Sequence, residues 1–436
     1  MNTPDRHRVA HLVLSLTAAA LLLAARPPSA AADPCGGRVA CTCGDTVTAS
    51  YQLTGNLGPC PAHGLTVESK VLLDCGGFSI TGLGDGSEQY GIALSARGGG
   101  EVVGATVKNC RVSRFLRGIR VRTGNSNLIA DNVTFDNGNH RTHVGYGIDI
   151  SGRSHNNIVQ NNEVRGNADE GIHIGTGSRN NRFANNVVAD NYRENLYLLG
   201  ADGNAFVGNT LGGGGVNSLY LKDSSRNVFE GNRFRGKPAR IIGGSRDNRF
   251  VDNAFAGATL HFTLYKRDAR YPYRNRVVGG SITDADPCVR FTSARDNVIE
   301  DVELGKCALA VRGESASGPS EMTVLGAAPA AMRLDDESTL HVGRKASVHV
   351  KDAAGAPVAA AEVQAKDAGG AMLWSATTDD AGNTPPQPFV TATFTGTRRT
   401  ARGPITVTAA KPGYAPTSVT APPTEGGAVT ISIRPE

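Results

Sequence analysis

Beyond its first 32 residues the chain has no apolar stretch long enough to cross a bilayer as a helix. It also lacks runs of apolar residues at i, i+3 and i+4, so long amphipathic helices are not expected. A phosphate-binding loop, a dinucleotide fingerprint and a Ser-His-Asp spacing are all missing, and the chemistries they support go with them. Methionine is scarce, four in 436 residues, and beyond the first 32 residues His140 with His143 is the only close histidine pair, so copper finds few suitable ligands. Neither sign of charge dominates. The formal net charge of +5 falls to +3 without Arg6, Arg8, Arg26 and Asp5 of the first 32 residues, which argues against nucleic acid as a partner.

What the chain does have is a repeat. The stretch from Tyr146 to Leu211 reads YGIDIS…NNIVQNNEV, EGIHIG…NNRFANNVV, NLYLLG…NAFVGNTL. A column of asparagines runs through Asn127, Asn157, Asn181, Asn204, Asn227, Asn248, Asn275 and Asn297, in steps of 30, 24, 23, 23, 21, 27 and 22 residues. Five places on stand Asn132, Asn162, Asn186, Asn209, Asn232 and Asn253, before the column lapses to Gly280 and Val302. Two places after each first asparagine the residue is apolar: Ile129, Val159, Phe183, Phe206, Phe229, Phe250, Val277, Ile299. Repeats of this length signal a solenoid. Short period-two stretches between Asn and Gly make it a solenoid of strands and turns. Asn and Gly tolerate positive φ, so the recurring asparagines are expected at the bends, with their amides stacked from coil to coil. The fold class predicted is all-β: a right-handed parallel β-helix over residues 64–343, followed by a small β-sandwich over 344–436.

Residues 1–32 read as an export signal, with Arg6, His7 and Arg8, then LVLSLTAAALLLAA, then the small residues of PSAAA. Export places the chain in the periplasm or outside the cell, an oxidising setting. Residues 33–63 read as a cysteine-rich cap, with Cys35, Cys41, Cys43 and Cys60 expected in disulfides that close the end of the solenoid. Cys75 and Cys110, and Cys288 and Cys307, are each separated by about a coil, and either bridge neighbouring coils or fill the core as thiols. Two inserts, DNGNHRTHVGY and TLYKRDARYPYR, lengthen the steps before Asn157 and Asn275 and are expected at coil corners, where they can wall a groove. From about Arg344, alternating strands separated by Gly, Pro and Asp turns suggest the sandwich, with no catalytic constellation in it.

On these motifs the segment from Gly64 to Val342 resembles the right-handed parallel β-helix superfamily of pectate-lyase-like proteins, and most closely the repeats of NosD-type periplasmic proteins. The C-terminal part, with its DxxGxPVxxAxV and DDAG patterns, resembles carboxypeptidase-regulatory-like and bacterial Ig-like modules. Tyr146-Gly147-Ile148-Asp149 is similar to the first half of the YGFDPHE motif of mannuronan epimerases, but Ile150 and Ser151 replace its proline and histidine.

In the strand before each first asparagine, period two turns the middle residue outward. That column is expected to run Arg120, Asp149, His173, Tyr197, Tyr220, Ile241, His261, Arg290. Coils stack about 4.8 Å apart, so a carboxylate, an imidazole and two phenols should line one face. Tyrosine can stack on sugar rings and arginine can neutralise a uronate carboxylate, while imidazole and phenol can serve as base and acid. The expected catalytic residues are Asp149, His173, Tyr197 and Tyr146, with Arg120, Tyr220, Lys222, Arg141 and Arg290 binding substrate. The partner expected is an acidic polysaccharide and the reaction, if there is one, a lyase or epimerase reaction. No cofactor is required, although pectate-lyase-type catalysis would need calcium, for which Asp149, Asp169 and Glu170 are the local candidates. A non-catalytic adhesive rod and a NosD-like metal-cofactor assembly factor are the competing readings.

Overall fold

The computed structural model describes residues 33–84, 89–265, 270–316, 318, 320–326, 328–421 and 429–436. The expected export signal lies outside the described residues. Successive coils give short strands to three sheets of 14, 15 and 11 strands, parallel throughout except for the last two strands of the 15-stranded sheet. In the first, Tyr90–Leu94, Arg117–Arg122, Tyr146–Ser151, Glu170–Ile174, Glu194–Leu199 and Asn217–Lys222 follow one another without a crossover. This is the right-handed parallel β-helix expected from the repeat. Apolar residues of one coil lie in register over those of the next: Ile148 over Ile172, Leu196 and Leu219, all at most 2% exposed.

The asparagine columns are continuous hydrogen-bonded ladders. From Asn127 to Asn297 each Nδ2 donates to the next Oδ1 at 2.8–3.1 Å. The second column does the same from Asn132 to Asn253. Asn204 shows how fully each amide is used. Its Oδ1 accepts from the backbone N and Nδ2 of Asn181 at 3.0 and 2.9 Å, while its Nδ2 donates to Asn227 Oδ1 and to the Ser178 carbonyl. A buried amide with donors and acceptor all satisfied stabilises the bend, whereas one left unmade would cost about 1–3 kcal/mol.

One expectation needs correcting. The left-handed residue of each bend is not the ladder asparagine but its predecessor: Ser126, Asn156, Asn180, Gly203, Arg226, Asp247, Arg274 and Asp296 all have positive φ. The preceding residue turns the chain and the asparagine bonds between coils, which is why the pair so often reads NN, GN or DN. A third ladder, Asn137 to Asn167 to Asn191 to Asn195, escapes the repeat spacing because its last rung comes from four residues on.

Between the ladders Phe183, Phe206, Phe229 and Phe250 stack with centroids 4.5–4.8 Å apart. Phe234 and Phe255 form a second stack at 4.5 Å. All eight cysteines are paired: Cys35–Cys41 and Cys43–Cys60 in the cap, Cys75–Cys110 and Cys288–Cys307 between coils. Cross-coil bridges are therefore the outcome where the sequence left two open.

At the far end Ser338–Ala346 pairs parallel with Ser320–Leu325 on one side and antiparallel with Gln387–Thr395 on the other. Arg398–Ala401 pairs onto Gln387–Thr395, and the other C-terminal strands form a curled six-stranded sheet. Its core of Val350, Val363, Trp374, Val407 and Ile431 closes over Phe389, whose ring meets Trp374 edge-on at 5.4 Å. Turns at Asp352, Asp367 and Asp379 are held by each aspartate's Oδ1 accepting a backbone N–H four residues on.

Phe206 sits mid-stack and 1% exposed, so Phe206→Ala should cost about 3–5 kcal/mol. Chemical denaturation will read this directly, and a wild-type midpoint would show that the stack does not carry the core.

Candidate functional site

The outward column of the first sheet is a register, not an approximation. Arg120, Asp149, His173, Tyr197, Tyr220, Arg240, His261 and Arg290 are cross-strand partners in that order. Arg240 takes the place expected for Ile241. In the run ARII it is Arg240 that has apolar neighbours on both sides, and pairing of Ala239 with Leu219 and Ile241 with Leu221 puts those two inside. The outward residue is therefore a guanidinium.

Local sequence makes this strand lie close to the core. A Cβ on Gly147 would fall 2.7 Å from Asn167 Nδ2, and one on Gly171 2.5 Å from Asn191 Nδ2. Glycine two places before Asp149 and His173 lets the third ladder press beneath them. In the next coil Asn195 stands at the glycine position and becomes the ladder's last rung.

Asp149 points outward yet is only 3% exposed, because its neighbours cover it. His173 Nδ1 lies 3.0 Å from Oδ1 and Ser151 Oγ donates to Oδ2 at 3.2 Å. The Nε atoms of Arg117 and Arg120 approach Oδ2 at 3.4 and 3.7 Å, within ion-pairing reach. The carboxylate fixes the tautomer: Nδ1 carries the proton, so neutral His173 has a bare Nε2. Tyr146 stacks on the imidazole at 4.6 Å and Tyr197 flanks it at 5.6 Å, with Tyr220 a further 5.4 Å along. Burial and then the negative charge of Glu170 push both Tyr146 and Tyr197 phenols up, Tyr146 to about 12, so both stay protonated. His261, farther along, is driven down to about 3 by burial and by Arg290 and Arg240, and remains neutral.

Three places before the column lies a second line: Arg117, Tyr146, Glu170, Glu194, Asn217. Here Asp169, Glu170 and Glu194 form a buried group whose oxygens lie within 4.8 Å of one another. Arg193 reaches Asp169 Oδ1 at 3.1 Å and Glu194 Oε2 at 3.4 Å, and Asn217 Nδ2 donates to Glu194 Oε1. One guanidinium cannot balance three carboxylates in a dry place. Burial, then Asp169 and Glu194, raises Glu170 to about 9; burial outweighs Arg193 and raises Asp169 to about 6; Glu194 is also raised, by burial first. The set is all oxygen and suits a hard cation such as calcium. It corrects the expected trio, since Glu194 replaces Asp149, which is tied to Arg117, Arg120 and His173 instead. Glu194, Arg117 and Arg193 were missed, although reading three places ahead of each column residue would have found the first two.

The other expected binding residues disperse. Lys222 sits over the Tyr265 ring at 3.5 Å, and Arg290 is paired with Glu314 at 3.0 Å. Arg141 stays on the exposed insert, where its N–H donates to Asn139 Oδ1. His140 bonds Asp136 at 3.0 Å and His143 stacks on Tyr192 at 3.7 Å, so the histidine pair does not converge on one point.

The carboxylate group makes stability depend on pH. Acids whose pKa is raised by folding hold protons that the unfolded chain gives up, so stability falls as pH rises from about 4.5 through about 9. Glu170→Gln should flatten the alkaline part of that fall. Melting temperatures at pH 5, 7 and 9 will show it, and an unchanged slope would mean that Glu170 ionises normally.

A family model described as periplasmic copper-binding protein (NosD) matches residues 62–220 and 104–277. No curated protein matches the chain. Among solved structures, the periplasmic alginate epimerase AlgG is 16% identical, with 63% of this chain and 76% of that one covered and a TM-score of 0.44. The A-module of the Azotobacter vinelandii mannuronan C-5 epimerase is 14% identical over 64% and 84%, with a TM-score of 0.39. The Dettilon tailspike protein is 12% identical over 83% and 73%, with a TM-score of 0.44. Copper, named in the family description, does not fit the carboxylate group, which has no sulfur or imidazole donor, and every cysteine is in a disulfide. The three-sheeted solenoid is thus a right-handed parallel β-helix, and the match to the NosD family model runs across residues 62–277 of it.

Proposed function

We propose that this exported protein, periplasmic or released, binds an acidic polysaccharide along its first sheet and moves a proton on it at the Asp149–His173 dyad. The observation that carries this reading is the dyad itself: a buried carboxylate 3.0 Å from an imidazole, with phenols on either side and two guanidinia behind. Two arginines against one aspartate leave one positive charge over, enough for a single substrate carboxylate. That charge lowers the barrier to removing the proton on the adjacent carbon, because the developing enolate is stabilised where it forms.

His173 takes that proton on Nε2, and Asp149 stabilises the imidazolium so formed. If the electron pair then expels the glycosidic oxygen, a double bond forms and Tyr197 or Tyr146 protonates the leaving oxygen, which is elimination. If a phenol instead protonates the carbon from the opposite face, no bond to oxygen breaks and the sugar is epimerised. Both outcomes need the phenols protonated, and their raised pKa values keep them so. Tyr220 and Arg120 extend the surface on either side for neighbouring sugars. A calcium ion held by Asp169, Glu170 and Glu194 would add positive charge beside the substrate.

Incubation with alginate, pectin and glycosaminoglycans separates the outcomes. Elimination raises ultraviolet absorbance, and epimerisation in heavy water places deuterium in the polymer. His173→Ala should lower either rate by roughly 10²–10⁴-fold. The reading is lost if no uronic polymer reacts or binds, or if His173→Ala turns over like wild type.

A further inference from the structure

The insert before Asn275 returns to the solenoid as Tyr271-Pro272-Tyr273, and its return is fixed. The Pro272 carbonyl accepts from Asn297 Nδ2 at 3.0 Å and from the Arg295 N–H at 3.2 Å. Tyr273 bridges to Arg246 on one neighbouring coil and to Arg295 on the other. Between them is a cavity of about 470 Å³ lined by Gly244, Arg246, Arg270, Tyr271, Tyr273, Arg295 and Asp296. It lies at the edge of the first sheet opposite the carboxylate group, four coils on from His173, or about 20 Å along the axis at 4.8 Å per coil.

Its chemistry is specific. Arg295 lies over the Tyr271 ring at 4.9 Å and Arg246 over Tyr273 at 5.9 Å, while Arg270 is within 3.4 Å of Asp223 and Arg274 makes paired bonds to Asp247. Arg246 is itself 3.8 Å from Asp247, so around the cavity four arginines, Arg246, Arg270, Arg274 and Arg295, meet three aspartates, Asp223, Asp247 and Asp296, and one positive charge is left over. A guanidinium steadied on an aromatic face keeps its planar N–H fork for a carboxylate. The two tyrosine planes meet at 67°, which makes an angled wall rather than a slot. A non-planar sugar ring fits such a wall better than a flat base does, and a cavity of this size holds one or two sugars.

We propose that this pocket is a distal subsite for a carboxylated sugar of the polymer that the dyad works on, an inference that rests on the polysaccharide reading above. Engagement at two points joined by one chain raises affinity by effective concentration.

The test uses oligogalacturonates and oligomannuronates of two to ten units, with their carboxyl-reduced forms as controls, on the full exported chain. Wild type should show a rise in affinity of at least about tenfold once the oligomer spans both points. Arg246→Ala combined with Arg295→Ala should abolish that rise and leave binding of the shortest oligomers unchanged. The proposal fails if the double variant, shown folded by its melting curve, keeps the wild-type length dependence. Tyrosine ring NMR signals, assigned through Tyr271→Phe and Tyr273→Phe, keep the two readings apart. If these signals move with acidic oligomers while His173→Ala alters nothing, the pocket stands and the dyad reading falls. If they stay still with every oligomer, the pocket is not a subsite.

Discussion

The amide ladder is the constraint from which the rest of the structure follows. A stack of coils held only by backbone pairing could slip in phase at each bend, and a slip of one residue would turn every side chain to the wrong face. Buried asparagines prevent this because, within a ladder, an Oδ1 such as that of Asn204 accepts from two donors of the preceding coil while its Nδ2 donates both to the next coil and to a backbone carbonyl. Displacing one coil would leave several buried polar groups unmet at once. Apolar stacking, from Phe183 to Phe250, then adds to a register that the amides have already set.

That register is what creates the site. Asp149 and His173 are 24 residues apart in sequence and touch only because their coils are held in phase. The same stacking brings Asp169, Glu170 and Glu194 together, where like charges are forced into shared burial. One face thus carries two electrostatic environments. The dyad has more cation than anion around it and the neighbouring carboxylates have the reverse, separated by three residues along each strand.

Much of this was legible in the sequence, for physical reasons. Asparagine at a bend and an apolar residue two places later are strong signals, since the first must fill both sides of a buried amide ladder and the second always faces the core. The column from Arg120 to Tyr220 was likewise visible, because apolar residues bracket each member. Arg240 is bracketed in the same way, by Ala239 and Ile241, so it was legible too, and the expected Ile241 lay one residue out of phase. The third ladder was hidden because Asn195 reaches it from within the following strand, and the roles of paired residues at the bends were hidden because asparagine is suited to both. Glu194 lay in plain view, but its meaning depends on two carboxylates from the coil before it.

The strand Ser338–Ala346 has a consequence of its own. A stack of parallel rungs ends in a row of unpaired backbone groups, and such a row invites another molecule to continue the pattern. Here the last rung accepts a neighbour running the other way, Gln387–Thr395, with a bulge at Val342/Gly343. The reversal breaks the template in this sheet, where pairing runs on antiparallel through Gln387–Thr395 to Arg398–Ala401. In this sheet the parallel stack is brought to a halt by a strand of the same chain.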